Sequence, residues 1–295
     1  MLSNNEFRVT LSFYKYCDIY DPYNFKKIIY KVFNILNILG RVYISREGIN
    51  AQISVLNTNY HIFKKFIYKM HHDFKGMKIN RGLNNKTSFF ILKVKVKNKI
   101  VADGLLNFKF NYKNSGIYLK PHEVNNMLVD KKAIFVDLRN DYEYKIGHFK
   151  KAIHVPGSTF RDQLNNMVKF LTPYKNKSIV MYCTGGIRCE KATALIKFHN
   201  FKNVYHIEGG ILNYVNESHR KNLPIKFYGK NFVFDNRISE FISSHIFSLC
   251  ETCGQHYNDY MNCNNYFCHR LFLQCKNCYI KYSGYCSINC QIKYI

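Results

Sequence analysis

The sequence has 295 residues and 47% of them are apolar, which suffices for two or three globular domains and argues against a disordered chain. No apolar stretch reaches the roughly 18 residues that span a bilayer, and MLSNNEFRVT lacks the order of a signal peptide, so we expect a cytoplasmic protein without a membrane segment. The 44 Lys and Arg outnumber the 19 Asp and Glu, and the formal charge of +25 favours a polyanion such as RNA, although an A/T-biased genome gives any protein many lysines.

Residues 1–100 are predicted to form a ferredoxin-like α+β module with the order βαββαβ. FRVTLSFYKYCDI is rich in strand formers. PYNFKKIIYKVFNIL has helical apolar spacing after Asp21, and Gly40 is expected to end that helix as its C-cap. GRVYISREGINAQISV predicts a hairpin that turns at Glu47-Gly48, YHIFKKFIYKM a second helix, and FFILKVKVKNKIV the last strand, with lysines on one face.

Basic and aromatic residues of this module suggest an RNA-binding surface, although a solvated sheet or helix face would have the same composition. The candidates are Lys26, Lys27, Arg41, Arg46 and the lysines of LKVKVKNK, beside Tyr14, Tyr16 and Tyr43.

Residues 101–120 contain turn formers without a clear period and are interpreted as a linker. From 121 to 225 helices alternate with short apolar strands: PHEVNNML and EKATALIKFHN predict helices, and AIFVDLR, SIVMYC and NVYHIEGG predict strands. Such alternation indicates a parallel, doubly wound α/β sheet. Residues 226–295 are predicted to form a basic, aromatic connector and then a cysteine-rich segment.

The stretch SIVMYCTGGIRCEKATALI places Cys183 where a strand ends and a helix is about to begin, the usual place for a site in an open α/β sheet. The intervening loop can turn its backbone N–H groups inward because its glycines permit the torsions. These amides, the helix N-terminus and Arg188 should lower the pKa of the thiol. We therefore predict a reactive thiolate at Cys183, in a loop of Thr184, Gly185, Gly186 and Ile187 that Arg188 closes.

Cys183 has two other interpretations. A lone cysteine at a strand end is usually structural, but the Gly-Gly pair and the arginine that follow favour reactivity. Cysteine-dependent phosphatases also combine a cysteine and an arginine, but they place five residues between the two, whereas four separate Cys183 from Arg188. The shorter loop suits a persulfide or another small sulfur species better than a phosphate.

The segment VDLRNDYEYKIGHFKKAIHVPG followed by CTGGIRC resembles a rhodanese domain over about residues 120–225. Asp137 and Arg139 match the family's Asp-x-Arg, and Glu143 matches its acidic residue. Gly147-His148 and Pro156-Gly157 match its loop signature. The resemblance implies that Cys183 is the cysteine that carries a persulfide in active members.

A broader resemblance covers nearly the whole chain. SFYKYCDIYDP, GRVYISREGINAQISV, KVKNKIVADG, VMYCTGGIRCEKA, YHIEGGI and GKNFVFDNR are together similar to the bacterial rhodanese-domain tRNA uridine hydroxylases. Members of that family use molecular oxygen to install 5-hydroxyuridine at the wobble position of tRNA. The resemblance implies a tRNA substrate, no DNA partner, and an essential Cys183.

The oxygen-activating cofactor and the electron donor stay open, since no flavin, haem or dinucleotide fingerprint is recognisable in the sequence. One hypothesis is that the Cys183 thiolate adds to C6 of the pyrimidine and makes C5 nucleophilic. Cys189 is either a resolving partner for an oxidised Cys183 or a small residue that packs against the sheet. Glu190 and Lys191 are interpreted as solvated residues of the first helical turn, and His206 and Glu208 as structural residues at a neighbouring strand end.

The C-terminal cysteines predict two tetrahedral zinc sites with four thiolates each, because two CxxC pairs and four more thiols lie in a segment too short for a core of its own. Sequential and cross-braced groupings both satisfy the count, His256 or His269 could replace a cysteine, and an iron–sulfur cluster is the alternative. The predicted ligands are Cys250, Cys253, Cys263, Cys268, Cys275, Cys278, Cys286 and Cys290.

The sequence thus predicts a cytoplasmic, oxygen-dependent tRNA hydroxylase that forms 5-hydroxyuridine at the wobble position with Cys183 and Arg188 as its catalytic residues. Asp137, Arg139 and Cys189 are predicted to support them. The alternatives are a persulfide-carrying sulfurtransferase and a non-catalytic RNA- or protein-binding adaptor. The oligomeric state and the set of tRNAs are not determined by the sequence.

Overall fold

The computed structural model describes residues 7–84, 86–105 and 114–292. The N-terminal elements are strand β1 (Arg8–Tyr16), helix α1 (Pro22–Ile35), β2 (Leu39–Ser45), β3 (Gly48–Leu56), α2 (Tyr60–Met70), β4 (Ile79–Arg81) and β5 (Leu92–Val96). The following elements are β6 (Ile117–Leu119), α3 (Pro121–Val129), β7 (Ala133–Asp137), α4 (Asp141–Lys145), β8 (Gly147–Phe149), β9 (Ile153–His154), α5 (Phe160–Leu171), β10 (Ser178–Tyr182), α6 (Ile187–Phe198), β11 (Val204–Ile207), α7 (Gly210–Arg220), β12 (Phe227–Phe232), β13 (Ser239–Phe241), β14 (Tyr260–Asn262), β15 (Leu271–Leu273), α8 (Lys276–Tyr282) and α9 (Ile288–Ile292). Over the described ranges, no helix has the length and apolar character that crossing a membrane requires.

The N-terminal sheet has the strand order β4-β1-β3-β2-β5. The antiparallel β4-β1-β3-β2 part confirms the predicted ferredoxin-like fold. The prediction that FFILKVKVKNKIV supplies the last strand of this fold is wrong. The unpredicted strand β4 takes that place and pairs with β1. The lysine-rich β5 instead extends the opposite edge, parallel to β2. Phe13, Phe33 and Phe63 pack at ring distances of 5.8 and 5.9 Å in the core below the sheet.

Helix α1 begins as predicted and ends earlier than predicted. The Asp21 carboxylate accepts hydrogen bonds from the backbone N–H groups of Tyr23 and Asn24, both at 3.0 Å, which satisfies two donors that the helix leaves unpaired. Gly40 is not the C-cap, because the chain leaves the helix through Asn37 in the left-handed conformation. Gly40 lies in β2, where a Cβ atom would come within 2.3 Å of a carbonyl oxygen of β3.

The second sheet has the order β6-β11-β10-β7-β9, and every neighbouring pair is parallel, which confirms the doubly wound α/β prediction. Val136, Ile179 and Met181 are fully buried in its core with apolar residues of α5 and α6. Residues 117–119 of the predicted linker form β6, and residues 106–113 of that linker lie outside the described residues. The parallel order brings the ends of β7, β10 and β11 to one edge, where the Cys183 loop lies.

The chain divides into two compact units. The first comprises Met1–Asn140 and Ala152–Ile225 and contains both sheets described above. The second comprises Asp141–Lys151 and Lys226–Ile295. It is built from the sheet β13-β12-β8 and the hairpin β14-β15, with Ile146 and Phe232 in its small apolar core.

Candidate functional site

The Cys183 loop joins the end of β10 to the start of α6. Gly186 adopts φ +101°, a conformation that L side chains rarely adopt, directly before the first residue of α6. A Cβ atom on Gly186 would lie 2.9 Å from the hydroxyl of Tyr14, whereas one on Gly185 would lie at the looser distance of 3.4 Å from Ser12 Oγ. The second glycine of the pair is therefore the one that this loop conformation and its close neighbour require.

The loop holds the sulfur of Cys183 by backbone donation. The N–H of Gly186 donates to Sγ at 3.1 Å, and Cys183 is fully buried. Burial alone would raise the pKa of Cys183, but the hydrogen bond from Cys189, the charge of Arg188 and the N–H groups of Arg188 and Gly186 outweigh it and lower the pKa to about 6. Cys183 is therefore largely a thiolate at neutral pH.

Cys189 lies two residues into α6 and is fully buried beside Cys183. Burial and the neighbouring Cys183 raise the pKa of Cys189 well above its ordinary value. This thiol therefore stays protonated and donates a hydrogen bond to the sulfur of Cys183. Arg188 is 8% exposed, and its Nη2 lies 3.5 Å from the hydroxyl of Thr184 at the other end of the loop. The structure therefore brings the predicted Cys183, Arg188 and Cys189 together.

A second glycine pair supports the loop from α7, which the sequence analysis did not recognise. The N–H groups of Ile211 and Leu212 donate to the carbonyls of Cys183 and Thr184 at 3.0 and 3.2 Å. A Cβ atom on Gly210 would lie 2.4 Å from the Cys183 carbonyl oxygen. The signal in the sequence was Gly209-Gly210 between a strand and a helix, since paired glycines there indicate a close backbone approach.

Asp137 and Arg139 form a buried ion pair after β7. Arg139 donates through Nε to Asp137 Oδ1 at 2.9 Å and through Nη2 to Oδ2 at 2.6 Å, and both side chains are 0% exposed. The carbonyl of Arg139 accepts hydrogen bonds from His154 and Gln163. A charge pair of this kind fixes the chain at the edge of the sheet where the thiolate lies.

Tyr14 and Tyr16 of the N-terminal sheet contact residues at the start of α6. The predicted place on an RNA surface is wrong for Tyr16, which is buried, and stays a prediction for the partly exposed Tyr14. The Tyr14 hydroxyl donates to Glu190 Oε1 at 2.8 Å. Tyr16 is 7% exposed and its hydroxyl donates to the carbonyl of Ile187 at 3.2 Å. Because strand side chains alternate, both residues of β1 point to the same face, the one that meets the start of α6.

Glu190 and Lys191 are not the solvated helix residues that the sequence suggested. Glu190 accepts a second hydrogen bond, from Tyr118 at 2.7 Å. Lys191 is 4% exposed and forms ion pairs with Glu47 at 2.8 Å and with Asp103 at 2.5 Å. Their partners come from the N-terminal module and from the predicted linker, which helix periodicity could not reveal.

His206 lies in β11 and Glu208 directly follows it, and their structural roles stay a prediction. Neither ring nitrogen of the buried His206 has a hydrogen-bond partner among the described residues. His206 is fully buried, its ring lies 4.1 Å from that of Tyr118, and burial lowers its pKa to about 4. Glu208 lies 3.6 Å from the ammonium of Lys78. Neither contact involves the Cys183 loop.

The cysteines of the second unit form two groups, and in each group the four sulfurs lie within 4.8 Å of one another. The grouping is cross-braced, with the first and third cysteine pairs in one group and the second and fourth pairs in the other. Three sulfur–sulfur distances within these groups are 3.7 Å (Cys253–Cys275), 3.7 Å (Cys268–Cys286) and 3.5 Å (Cys286–Cys290). Each group could hold a metal ion: Cys250, Cys253, Cys275 and Cys278 form one, and Cys263, Cys268, Cys286 and Cys290 form the other.

Three family profiles match the chain. They are an acylphosphatase-like domain of the UPF0176 type over residues 8–100, a rhodanese-like domain over residues 120–217 and a rhodanese C-terminal region over residues 228–291.

Curated relatives match over nearly the whole chain. A protein of Buchnera aphidicola from Acyrthosiphon pisum (strain APS) is 50% identical over 294 residues, which cover 100% of this chain and 91% of the relative. A protein of Pectobacterium carotovorum is 48% identical, over 98% of this chain and 82% of its own length. Both relatives are named tRNA uridine(34) hydroxylase. Among solved structures, the rhodanese-like domain of an Anabaena protein is 19% identical with a TM-score of 0.30, over 38% of this chain and 78% of that one.

Proposed function

The chain belongs to the tRNA uridine(34) hydroxylase family, and on this premise we propose that it converts the wobble uridine of tRNA to 5-hydroxyuridine with molecular oxygen as co-substrate. The observation that carries the proposal is the match to relatives with this name, which are about half identical over nearly the whole chain. The thiolate held by the Cys183 loop supports it. This family is the one that the sequence motifs indicated.

Cys183 is the proposed nucleophile. Its electron pair forms a bond to C6 of the uracil, and the C5=C6 π pair moves toward C5 and O4, which makes C5 electron-rich. Oxygen transfer to C5 requires an oxidant, and we propose molecular oxygen together with a two-electron reductant. One oxygen atom bonds to C5, and the other leaves as water after taking up two electrons from the reductant and two protons. Arg188 and the inward N–H groups keep the sulfur anionic before the attack, and the covalent bond to C6 neutralises that charge.

Transfer RNA is the proposed partner, and DNA is not. The formal charge of +25 supports attraction to a phosphate backbone. Among the predicted RNA-binding residues of the N-terminal module, the exposed cations supply the proposed contacts. They are Lys27, Arg46, Lys93, Lys95 and Lys97. The half-buried candidates are Lys26, Arg41, Lys99, Tyr14 and Tyr43, and only the buried Tyr16 is removed from the prediction.

Zinc is the proposed metal of the two four-cysteine groups. Four thiolates bound to one zinc ion at about 2.3 Å are separated by about 3.8 Å along the edges of a tetrahedron. The sulfur–sulfur distances of 3.5 to 3.7 Å fit these edges, which supports a single ion in each group over a larger iron–sulfur cluster. Zinc bound there would be structural, since it would join cysteine pairs that are separated in the sequence of the second unit.

We further propose a cytoplasmic enzyme with the division made from the sequence: a module at residues 1–100, a linker at 101–120, a rhodanese domain at 121–225 and a zinc-binding segment at 226–295. The contacts of Tyr14, Tyr16 and Glu47 with α6 support a direct association of the N-terminal module with the rhodanese sheet inside the first unit.

The proposed activity is tested by mass spectrometry of wobble nucleosides. Transfer RNA is taken from cells that lack this protein and are complemented with wild type, Cys183→Ser or Cys17→Ala. Cys17 is a buried cysteine of the N-terminal module, outside the loop, and serves as the matched control.

We expect 5-hydroxyuridine derivatives with wild type and with Cys17→Ala, and none with Cys183→Ser. If the modification is independent of this protein, the hydroxylase proposal is wrong. A persulfide on Cys183 in purified protein, without any effect on tRNA, would then favour the sulfurtransferase.

A further inference from the structure

Three side chains from three separate elements meet beside the Cys183 loop. The carboxyl oxygen Oε1 of Glu190 on α6 accepts hydrogen bonds from Tyr14 of β1 at 2.8 Å and from Tyr118 of β6 at 2.7 Å. Two phenol donors on a single carboxyl oxygen fix the rotamer of Glu190. We call these three residues the Glu190 cluster.

The Glu190 cluster lies against the loop that holds the thiolate. The Tyr14 hydroxyl lies 2.9 Å from the position that a Cβ atom of Gly186 would occupy, and the N–H of Gly186 donates to Cys183 Sγ. One glycine therefore separates the tyrosine that holds Glu190 from the sulfur. Tyr14 therefore contacts both the loop glycine and the Glu190 carboxyl group.

The second oxygen of Glu190 is not used by these tyrosines. In the described part of the chain, Oε2 forms no hydrogen bond, and Glu190 is partly exposed. Burial raises the pKa of Glu190, and this outweighs the two phenols and the charge of Lys15 that lower it. The carboxylate is thus a stronger base than an ordinary glutamate, which suits proton transfer.

We propose that Glu190 is a catalytic residue whose Oε2 accepts the C5 proton of the uracil, with Tyr14 and Tyr118 as its positioning residues. The inference rests on the proposed function and deepens it. It also makes the N-terminal module part of the reaction centre, since β1 supplies Tyr14.

The proton must leave in any replacement of C5–H by C5–OH. After oxygen has bonded to C5, that carbon carries both the hydroxyl and the hydrogen, and C6 carries Cys183. Glu190 takes the hydrogen as a proton, and the C5–H electron pair forms the C5=C6 bond. The C6–S pair returns to sulfur as a thiolate, so the step is a balanced elimination without any oxidant.

The test compares Glu190→Gln with wild type on tRNA under air and reductant. The glutamine oxygen can still accept both phenol hydrogen bonds, so the substitution removes the base and keeps the rotamer. We expect kcat to fall by about 100-fold or more with little change in KM. Because elimination is blocked, a covalent Cys183–tRNA adduct should accumulate as a slow band on a denaturing gel.

Glu217→Gln is the matched control, since Glu217 lies on α7 and pairs with Arg220 at the surface. It should leave kcat and the gel unchanged. Iodoacetamide alkylation of Cys183 should proceed normally in Glu190→Gln, which separates loss of the base from a collapsed loop. A kcat within threefold of wild type, a lost activity without the adduct, or a loss of Cys183 alkylation would each overturn the proposal.

Tyr118→Phe gives an independent readout if Glu190→Gln does not fold. The titratable and charged groups that face the cluster are Tyr14, Lys15 and Tyr16 from β1, Tyr118 from β6, Cys183 and Cys189 from the loop and α6, and His206 from β11. The Tyr118 hydrogen bond lowers the pKa of Glu190, so its removal should shift the acidic limb of the kcat–pH profile to higher pH. An unchanged limb would contradict the role of Glu190.

Failure of this inference is distinguishable from failure of the proposed function. If wild type forms no 5-hydroxyuridine, the function itself is wrong and the inference falls with it. If wild type is active and Glu190→Gln is equally active, only the role of Glu190 is wrong.

Discussion

Replacing Lys191 by methionine should reveal how strongly the buried ion pairs stabilise the first unit. The Lys191 ammonium contacts Glu47 at 2.8 Å and Asp103 at 2.5 Å, and their side chains are only 18% and 1% exposed. Removing one partner of a buried ion pair costs about 3–5 kcal/mol because the other charge is left without compensation.

The lower end of that range applies here. Asp103 keeps the ammonium of Lys99 at 2.7 Å and the N–H of Leu105, and Glu47 keeps the N–H of Ile100. We therefore expect the free energy of unfolding at pH 7 to fall by about 3 kcal/mol. With an m-value of about 3 kcal/mol/M, the urea midpoint followed by circular dichroism would fall by about 1 M.

The effect should also depend on pH in a definite direction. In wild type, burial works to raise the pKa of Asp103, but hydrogen bonds from Lys191, Lys99 and Leu105 outweigh it and lower the pKa. The stability from Asp103 is then fully present above about pH 4, the unfolded pKa, and is lost only as the pH falls through the folded pKa. Without Lys191 the pKa of Asp103 should rise from this lowered value, so the variant loses less stability than wild type as the pH falls below about 4.

The gap in unfolding free energy between wild type and Lys191→Met should consequently shrink from about pH 5 to about pH 3. The control is Lys221→Met, because Lys221 is 41% exposed and 3.9 Å from Glu217, and such a surface pair contributes at most about 1 kcal/mol. A loss below about 1 kcal/mol for Lys191→Met, or an equal gap at both pH values, would refute this account of the buried ion pairs.

Three further predictions concern the thiolate, its loop and the metal sites. Peptide-resolved alkylation should report a Cys183 pKa of about 6, so that the alkylation rate falls below that pH and is flat above it. Arg188→Met should slow this alkylation several-fold at pH 6.5, because the thiolate loses a neighbouring cation. Gly210→Ala should lower kcat at least tenfold because its Cβ would meet the Cys183 carbonyl oxygen at 2.4 Å. The control Gly254→Ala has a similar positive φ angle but no atom near its Cβ, so it should retain activity. Equal activities of the two variants would exclude a role for the close approach. Elemental analysis should give about two zinc ions per chain, and Cys286→Ser should lose one, while a stoichiometry unchanged by Cys286→Ser would contradict the cross-braced sites.

The family and the position of the thiolate could be predicted from the sequence because both depend on residues that are close together in the chain. The stretch from Cys183 to Arg188 determines the loop conformation locally. Gly186 supplies the positive φ angle, and its own N–H donates to the sulfur of Cys183, three residues earlier in the chain. The ferredoxin-like and parallel sheets followed from hydrophobic periodicity, which is also a local property. The family assignment is confirmed by relatives over the full chain.

The sequence alone predicted a reactive thiolate at Cys183 and determined the number of C-terminal cysteines and the types of fold. Tertiary structure decided which distant residues meet them: Tyr14 and Tyr118 on Glu190, Glu47 and Asp103 on Lys191, and the cross-braced partition of the cysteines. Periodicity predicts only whether a side chain faces its own core, so Glu190 and Lys191 in the first turns of a helix looked solvated. Their partners lie 72 to 176 residues away in sequence, and only the packing of β1, β6 and α6 brings them within hydrogen-bonding distance.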